Sequence, residues 1–124
     1  MDAIRNEEFM KKGIRLREDY EKEKKPSPDC VTGIPMTIPT GNGDVYCLHY
    51  PSKTRKNGPV FIDIHGGGFL WAYPEEDDTF CANMNETLDI EIYSIDYVRA
   101  PEHMFPEALY GLYDTIKYLH DHAH

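Results

Sequence analysis

The sequence lacks the features that mark membrane-spanning, disulfide-stapled and zinc-binding proteins. No apolar run is long enough to cross a bilayer. The three cysteines, Cys30, Cys47 and Cys81, lie far apart and form no CxxC pair. The first residues, MDAIRNEEFMKKG, are charged throughout and contain no apolar stretch of the kind found in secretory signals. These absences predict a cytoplasmic protein with reduced cysteines, and neither a metal nor a cofactor is expected.

Basic residues are also scarce. Lysine and arginine total 13 against 22 aspartates and glutamates, which gives a formal net charge of −9. A surplus of this sign disfavours nucleic-acid backbones and anionic membrane surfaces as partners. The length of 124 residues suits one domain or part of one, with roughly two thirds of the unfolded surface buried.

The amino-terminal 30 residues differ in composition from the rest. Residues 3–25 are rich in charge and only sparsely apolar, and Gly13 weakens an otherwise helix-compatible pattern. The prolines of KKPSPDC end any helix there. We therefore predict a helical arm or cap remnant over residues 1–30 and one further unit over residues 31–124.

Strand and helix signals alternate along the second unit. MTIP and VYCLHY, separated by the turn signal GNGD, predict a hairpin. The apolar run PVFIDIHG is typical of a buried strand, and IEIYSIDY predicts the next one. Between them, PEEDDTFCANMNETL predicts a helix capped at Asp77 or Asp78, with Phe80, Met84 and Leu88 on one face. The last segment predicts an amphipathic helix from five apolar residues at helical spacing: Leu109, Leu112, Tyr113, Ile116 and Leu119.

This order of elements predicts the α/β class. The sheet should begin as an antiparallel hairpin and continue as a parallel βαβ unit with a C-terminal helix. A right-handed crossover should join residues 60–65 to residues 91–97.

The stretch HGGGFLWAY, residues 65–73, is the first candidate for chemistry. Consecutive glycines after a strand permit positive φ angles and can aim several N–H groups into one small volume. Such donors stabilise a developing oxyanion. A tight turn that merely needs small residues explains the same spacing equally well, whereas a phosphate loop is disfavoured because neither GxGxxG nor GK[ST] is present.

A second motif, DYVRAPEHMFPEAL at residues 96–109, favours the oxyanion loop over the tight turn. Together with HGGGF at 65–69, it resembles the hormone-sensitive-lipase-like branch of the α/β-hydrolase fold, from about Met36 to the C-terminus. These are carboxylesterases and acetyl esterases with a Ser, Asp/Glu, His triad. The resemblance implies a partial α/β-hydrolase sheet and hydrolysis of carboxylic esters in the parent family.

The resemblance also implies roles for individual residues. The oxyanion donors of the family fall on the backbone amides of Gly67 and Gly68, while His65 and Gly66 shape the loop. The segment Pro101 to His103 resembles a structural loop at the floor of the site. Two departures stand out: the family usually reads DYRLAPE, so the arginine is displaced by one residue here, and Phe69 replaces a more frequent tryptophan.

A nucleophile is missing from the sequence. The fold exposes it on a G-x-S-x-G elbow, but Ser27, Ser52 and Ser94 have no flanking glycines. No cysteine or aspartate lies in that pattern either. In the family, the elbow follows the helix that ends here as YLHDHAH, so the chain resembles the N-terminal half of an esterase.

Other polar residues offer weaker candidates. His120 and His124 would share one helix face and suggest a metal site, but no fixed third ligand accompanies them. His103 is a conceivable base without a nucleophile, and His49 is expected to be structural. Asp63, in an otherwise apolar strand, is expected to be a satisfied structural carboxylate.

These observations lead to three functional hypotheses. The first is a truncated or split ester hydrolase, inactive alone, that acts on a small ester when a C-terminal half completes it. The second is a non-catalytic binding or interaction module that uses the edge of the half-sheet, and the third is a small metal-dependent hydrolase. Because the family's nucleophile strand would cover VFIDI, we also expect an open sheet edge and self-association through it.

Overall fold

The computed structural model describes residues 3–122 and shows a four-stranded sheet with helices on both faces. Its elements, in chain order, are α1 (Ala3–Lys24), β1 (Ile34–Thr40), β2 (Gly43–Tyr50), β3 (Val60–Ile64), α2 (Asp78–Leu88), β4 (Glu91–Ile95) and α3 (Glu107–Asp121). The strand order is β1-β2-β4-β3. The predicted α/β class is confirmed, and the sheet is a mixed one.

Strands β1 and β2 form the predicted hairpin. They pair antiparallel from Ile34 opposite His49 to Thr40 opposite Gly43. Strand β1 is longer than MTIP and contains two prolines, Pro35 and Pro39. A proline cannot donate to a sheet ladder, and β1 tolerates both because it lies at one edge of the sheet.

The second half of the sheet contains the predicted parallel pair. Strand β3 runs parallel to β4, with Val60 opposite Glu91 and Ile64 opposite Ile95, and α2 connects the two strands. Strand β4 pairs antiparallel with β2 on its other side. This register places the residues that follow β3 and β4 side by side at one end of the sheet.

Two apolar layers stabilise the sheet. On the α3 face, the buried residues are Ile38, Cys47, Ile95, Tyr97, Ala108 and Leu112. On the α2 face, they are Leu48, Tyr50, Cys81 and Ile92. Each layer contains residues from β2 and from β4, so these two strands form the middle of the core.

Strand β3 is not the buried strand that its apolar run predicts. It forms the second edge of the sheet, and the exposed fractions are 49% for Val60, 36% for Phe61 and 46% for Ile64. The reason is that β4 is its only neighbour among the described residues. The expected open edge is therefore present.

Helix α2 has its N-cap at Asp77, one of the two predicted positions, but the capping hydrogen bond and the packing of the apolar face differ from the expectation. Asp77 precedes the helix without a capping hydrogen bond. The carboxylate of Asp78 is buried and accepts hydrogen bonds from the amides of Thr32 and Gly33, both at 2.9 Å. Its Oδ1 also accepts from the hydroxyl of Tyr50 at 2.6 Å. Of the predicted apolar face, Met84 packs against the core, whereas Phe80 and Leu88 are exposed. Phe80 lies edge-on to Phe61 of the edge strand β3.

Helix α1 occupies most of the segment predicted as an arm or cap remnant. It lies against the loops that follow β3 and β4, with Gly13 close to Pro101 and Arg17 bonded to Glu102. Whether residues 1–30 form a unit of their own stays a prediction. No helix in residues 3–122 has the length and apolar character needed to cross a membrane.

Candidate active site

The glycine loop, Gly66–Gly68, begins two residues after the last residue of β3 and has a backbone shape that ordinary residues rarely adopt. Gly67 has φ 120° and Gly68 has φ 61°. A Cβ at Gly67 would lie 2.0 Å from the carbonyl oxygen of Trp71, whereas one at Gly68 would meet nothing within 4 Å. The middle glycine is therefore required by space and by backbone angle together.

Two amide groups of this loop have no acceptor among the described residues. The carbonyl of Gly67 accepts hydrogen bonds from the amides of Leu70, at 3.1 Å, and Trp71, at 3.2 Å. The amides of Gly67 and Gly68 themselves donate to no acceptor in residues 3–122. Gly68 is exposed and Gly67 is half-buried, so two unpaired donors are accessible next to the end of β3.

Tyr97 supports the start of the loop from the sheet side. Its buried hydroxyl donates to the carbonyl oxygens of His65, at 2.8 Å, and Gly66, at 3.1 Å. Its ring stacks on the His65 imidazole with 4.2 Å between centroids. Burial raises the pKa of the Tyr97 phenol, so the hydroxyl remains a donor at neutral pH.

His65 is a structural residue of the loop in this geometry. Its side chain is almost fully buried, and Nδ1 lies 2.8 Å from the Gly66 carbonyl oxygen, which makes Nδ1 the donor. Nε2 has no hydrogen-bond partner in residues 3–122, and the nearest carboxylate oxygen, of Asp96, is 3.6 Å away. The imidazole therefore orients the loop rather than contacting its accessible side.

Arg99, the displaced arginine of the second motif, holds the other end of the loop. Its guanidinium donates to the carbonyl oxygen of Ala72 from Nε, at 2.9 Å, and from Nη2, at 2.7 Å. It also pairs with Asp96 and lies 4.1 Å from the ring centroid of Tyr73. The one-residue shift thus leaves the arginine in contact with the loop that the first motif forms.

Two acidic groups lie beneath the loop on the α2 face. Asp63 is buried, and its Oδ2 accepts a hydrogen bond of 2.5 Å from the hydroxyl of Ser94. Burial and the neighbouring Asp63 raise the pKa of Asp77. Asp63 is thus hydrogen-bonded inside the fold, as expected of a structural carboxylate.

The histidine candidates lie in ordinary surface pairs. His103 is exposed and hydrogen-bonds Glu107 at 2.6 Å, and His49 pairs with Glu91 and stacks on Tyr93. His120 is exposed at the end of α3, while His124 lies outside the described residues. In residues 3–122, no three metal-binding side chains converge.

No described side chain provides a nucleophile for the loop. Ser94 is fully buried against Asp63, Ser52 donates to Asp89, and Ser27 is an exposed residue before a short 3-10 turn. Burial raises the pKa of Cys47 and that of Cys81 to about 12, which keeps both thiols protonated at neutral pH. Among residues 3–122, the loop thus has unpaired donors but no serine on a glycine-flanked elbow.

Sequence reasoning missed the roles of Tyr97 and Arg99. A signal was present in the register: Ile64 lies opposite Ile95 in the parallel pair, so Gly66 and Tyr97 each follow by two residues. Two residues that follow neighbouring parallel strands by the same number of positions lie next to each other, as Gly66 and Tyr97 do. The contacts of α1 with these loops had no such signal, because they depend on how a charged helix packs.

A parallel βαβ unit with a glycine loop at the carboxyl end of a strand is typical of α/β folds, in which ligands bind beyond the carboxyl ends of the strands. A family model described as alpha/beta hydrolase fold matches residues 61–124, just over half of the chain. The chain therefore belongs to the alpha/beta hydrolase family, and its relatives include carboxylic ester hydrolases.

Three relatives and one solved structure illustrate the range of similarity. The carboxylic ester hydrolase LipN of Mycobacterium tuberculosis is 30% identical over 102 residues, which are 82% of this chain and 27% of LipN. Mouse hormone-sensitive lipase is 36% identical over 59 residues, covering 48% of this chain and 8% of the lipase. Gibberellin receptor GID1B of Arabidopsis thaliana is 36% identical over 61 residues, covering 48% of this chain and 17% of the receptor.

The structure of EstE1, a carboxylesterase from a metagenomic library, matches with a TM-score of 0.75 and 27% identity. The match covers 90% of this chain and 40% of EstE1. The chain thus spans less than half the length of these relatives. The resemblance to hormone-sensitive-lipase-like esterases is confirmed, and the 124 residues form a partial domain of this fold.

Proposed function

We propose that the chain supplies the charge-stabilising part of a carboxylic-ester hydrolase site, with the amides of Gly67 and Gly68 as oxyanion donors. The observation that supports this most strongly is the pair of accessible N–H groups without an acceptor in residues 3–122. They lie at the carboxyl end of β3, on a loop that positive φ angles and Tyr97 hold in shape.

The proposed reaction is acyl transfer from a small ester. A nucleophile adds to the ester carbonyl carbon, and the carbonyl oxygen becomes an oxyanion that the two amides stabilise. The carbon–alkoxide bond then breaks, the alcohol leaves with a proton, and water later cleaves the acyl-nucleophile bond. Removal of one oxyanion donor typically lowers kcat by about 10²–10³-fold.

The nucleophile must come from outside the 124 residues, so we propose that the chain alone is inactive. The open edge of β3 is where a completing segment would pair. A strand parallel to β3 would end beside His65, and an elbow of the G-x-S-x-G type at that end would face the glycine loop. The segment is either a further part of the same polypeptide or a second chain.

Hydrolysis of p-nitrophenyl acetate tests this proposal. The chain is assayed alone and mixed with a C-terminal esterase fragment chosen because it carries a G-x-S-x-G elbow. We expect hydrolysis only in the mixture, and a further loss when the elbow serine of that fragment is replaced by alanine. Hydrolysis by the chain alone would refute the proposed absence of a nucleophile.

The oxyanion role needs a variant that folds. In Gly68→Ala the new Cβ meets nothing within 4 Å and lies beside the proposed donors, while φ 61° adds a backbone strain that the control must share. Gly43→Ala, at the start of β2, is the matched control because Gly43 also has a positive φ, of 114°, and a Cβ there also meets nothing within 4 Å. We expect the completed protein to lose activity with Gly68→Ala only. Equal activity of the two variants would contradict the assignment of the donors.

A non-catalytic binding module is the second candidate. It is favoured by the missing nucleophile and by similarity to GID1B, a relative whose name describes a receptor. Under this alternative, the completed protein hydrolyses no ester, and the glycine loop binds an anionic or carbonyl group of a ligand. Binding of small carboxylates by calorimetry without turnover of any ester would support it over the esterase proposal.

A further inference from the structure

Helix α1 contacts the surroundings of the glycine loop with one face. Gly13, Arg17 and Tyr20 are spaced i, i+4 and i+7, which places them on the same side of the helix. The apolar residues Phe9, Met10 and Leu16 remain exposed. Helix α1 is therefore docked by polar and aromatic contacts and not by an apolar stripe.

Tyr20 forms the first of these contacts. Its ring stacks on Trp71, with 5.7 Å between centroids and 15° between planes, and its hydroxyl donates to Glu76. Trp71 in turn donates its amide to the carbonyl oxygen of Gly67. The stacked ring of Trp71 thus connects α1 to Gly67, the position at which only glycine fits.

Arg17 forms the second contact. Its guanidinium donates to both carboxylate oxygens of Glu102 and, at 2.8 Å, to the carbonyl oxygen of Ala100. The amide of Ala100 donates to the carbonyl oxygen of Phe69 at 2.8 Å. A chain of hydrogen bonds therefore runs from α1 through the second motif to the residue after Gly68.

Gly13 permits this approach. A Cβ at Gly13 would lie 3.3 Å from the ring of Pro101, a separation that is tighter than most real contacts. The glycine that weakens the helical pattern of α1 thus brings the helix close enough for Arg17 and Tyr20 to reach the loops.

The loop needs such supports because part of it is strained. Phe69 has φ 61° and Ala72 has φ 71°, and residues other than glycine at these angles cost about 1 kcal/mol or more each. Strained backbone persists only where its surroundings fix it. Tyr97 and Arg99 hold carbonyl groups at the two ends of the loop, and α1 adds the contacts of Arg17 and Tyr20.

We infer that α1 is a positioning element of the glycine loop, and that Arg17 and Tyr20 fix the direction of the Gly67 and Gly68 amides without touching a substrate. Only the expected effect of the α1 variants on ester hydrolysis rests on the proposed function. The coupling of α1 to the loop is tested without any reaction, so the two ideas fail separately.

Trp71, the single tryptophan, reports on this coupling. The variants Arg17→Ala and Tyr20→Ala are compared with Arg15→Ala and Phe9→Ala, which remove the same or a similar side chain from exposed positions of α1. We expect a red shift of Trp71 emission in Tyr20→Ala, because the ring loses its stacked neighbour and gains water. The control variants should match the parent protein.

Hydrogen exchange tests whether the loop itself responds. The amides of Leu70, Trp71 and Ala100 close the loop by hydrogen bonds. We expect these amides to exchange about tenfold faster in both α1 variants, the effect of losing one hydrogen bond to a charged group. Amides of β2 and β4 should exchange as in the parent, which separates loss of positioning from general destabilisation.

Two results would overturn the inference. If Trp71 emission and loop exchange are the same in the α1 variants as in the controls, α1 is not coupled to the loop. If emission changes but loop exchange does not, α1 docks without positioning the amides.

Tyr20→Phe, which keeps the ring and removes only the bond to Glu76, should give an intermediate change even where the alanine variants unfold. In the completed enzyme, Arg17→Ala should lower kcat more than it changes KM, whereas an inactive completed enzyme would contradict the proposed function alone.

Discussion

The two surroundings of strand β3 differ sharply. At its carboxyl end, the glycine loop and the residues that follow it are held by Tyr97, by Arg99 and by contacts of α1. Along its free side, apolar residues of the strand face solvent without a partner in residues 3–122. Many contacts thus hold a loop whose Gly67 and Gly68 amides have no acceptor in residues 3–122, while the adjacent strand is uncovered. This difference supports the proposal that another segment completes the site from the side of β3.

The largest effect is expected from Gly67→Ala. The added Cβ would lie 2.0 Å from the Trp71 carbonyl oxygen, and φ 120° is unsuited to alanine. The backbone strain alone costs roughly 1–3 kcal/mol, and the clash adds to it. We expect a lower free energy of unfolding in urea denaturation followed by circular dichroism.

Gly66→Ala is the control for this change, because a Cβ at Gly66 meets nothing within 4 Å and its φ is ordinary. It should be near neutral in stability. Equal losses in the two variants would mean that the geometry of Gly67 is not what holds the loop.

The next effect concerns the free side of β3, where we expect two copies of the chain to pair. The only charged residue of the strand, Asp63, is buried and bonded to Ser94, so no charge protects the edge. An antiparallel pair related by a twofold axis sets Val60 against Ile64 of the second copy. Phe80 of α2 and the α3 residues Leu109, Tyr113 and Ile116 are further exposed apolar side chains on the helices of the two faces.

Sedimentation velocity checks this expectation with Ile64→Lys, which should shift the chain towards monomer. Ile34→Lys is the matched control, because Ile34 is equally exposed on β1, the edge that Pro35 and Pro39 already protect. A parent chain that sediments as a monomer, or an effect of Ile34→Lys as large as that of Ile64→Lys, would contradict pairing through β3.

The sequence predicts the helices and strands of this fold better than it predicts which of their faces are buried. The period-two pattern of β2 and the paired motifs determine the α/β arrangement and the place of the glycine loop. The apolar run PVFIDIHG predicts that β3 is buried. A sequence pattern reflects a sheet in which β3 has a neighbour on each side, whereas β4 is its only neighbour in residues 3–122. Likewise, α3 has five apolar residues at helical spacing, yet Leu109, Tyr113 and Ile116 are exposed since nothing in residues 3–122 covers that flank.

The supports of the loop were predictable only in part. Tyr97 and Arg99 belong to a recognisable motif, although the contacts of Arg99 with Ala72 depend on a displacement that no pattern resolves. Arg17 and Tyr20 lie in a charge-rich helix whose sequence gives no docking face. Long-range polar contacts of this kind arise from tertiary packing, which local periodicity does not contain.

A smaller effect is expected from Tyr97→Phe. The change removes the hydroxyl that donates to the carbonyl oxygens of His65 and Gly66 and leaves both acceptors without it. Such a loss costs about 1–2 kcal/mol. Thermal unfolding should show a lower Tm and faster exchange in the loop. Tyr110→Phe, at an exposed tyrosine of α3, is the control, and an equal change there would show that the hydroxyl of Tyr97 is dispensable.

The smallest effect is a pH dependence of the α1 contact. Arg17 hydrogen-bonds Glu102 and lowers the pKa of that carboxyl below its ordinary value of 4.5. A carboxyl with a lowered pKa stabilises the folded contact above pH 4.5, and this contribution is lost as the pH falls through the lower folded value. Trp71 emission should therefore be constant as the pH falls from neutral and shift to the red only below the lowered pKa of Glu102.

Glu21 and Glu76 also accept hydrogen bonds at this contact, from Tyr73 and Tyr20, so Glu102→Gln should reduce the transition and not abolish it. Glu8→Gln, at an exposed position of α1, should leave the transition unchanged, and an identical curve for the two variants would show that Glu102 does not control the docking.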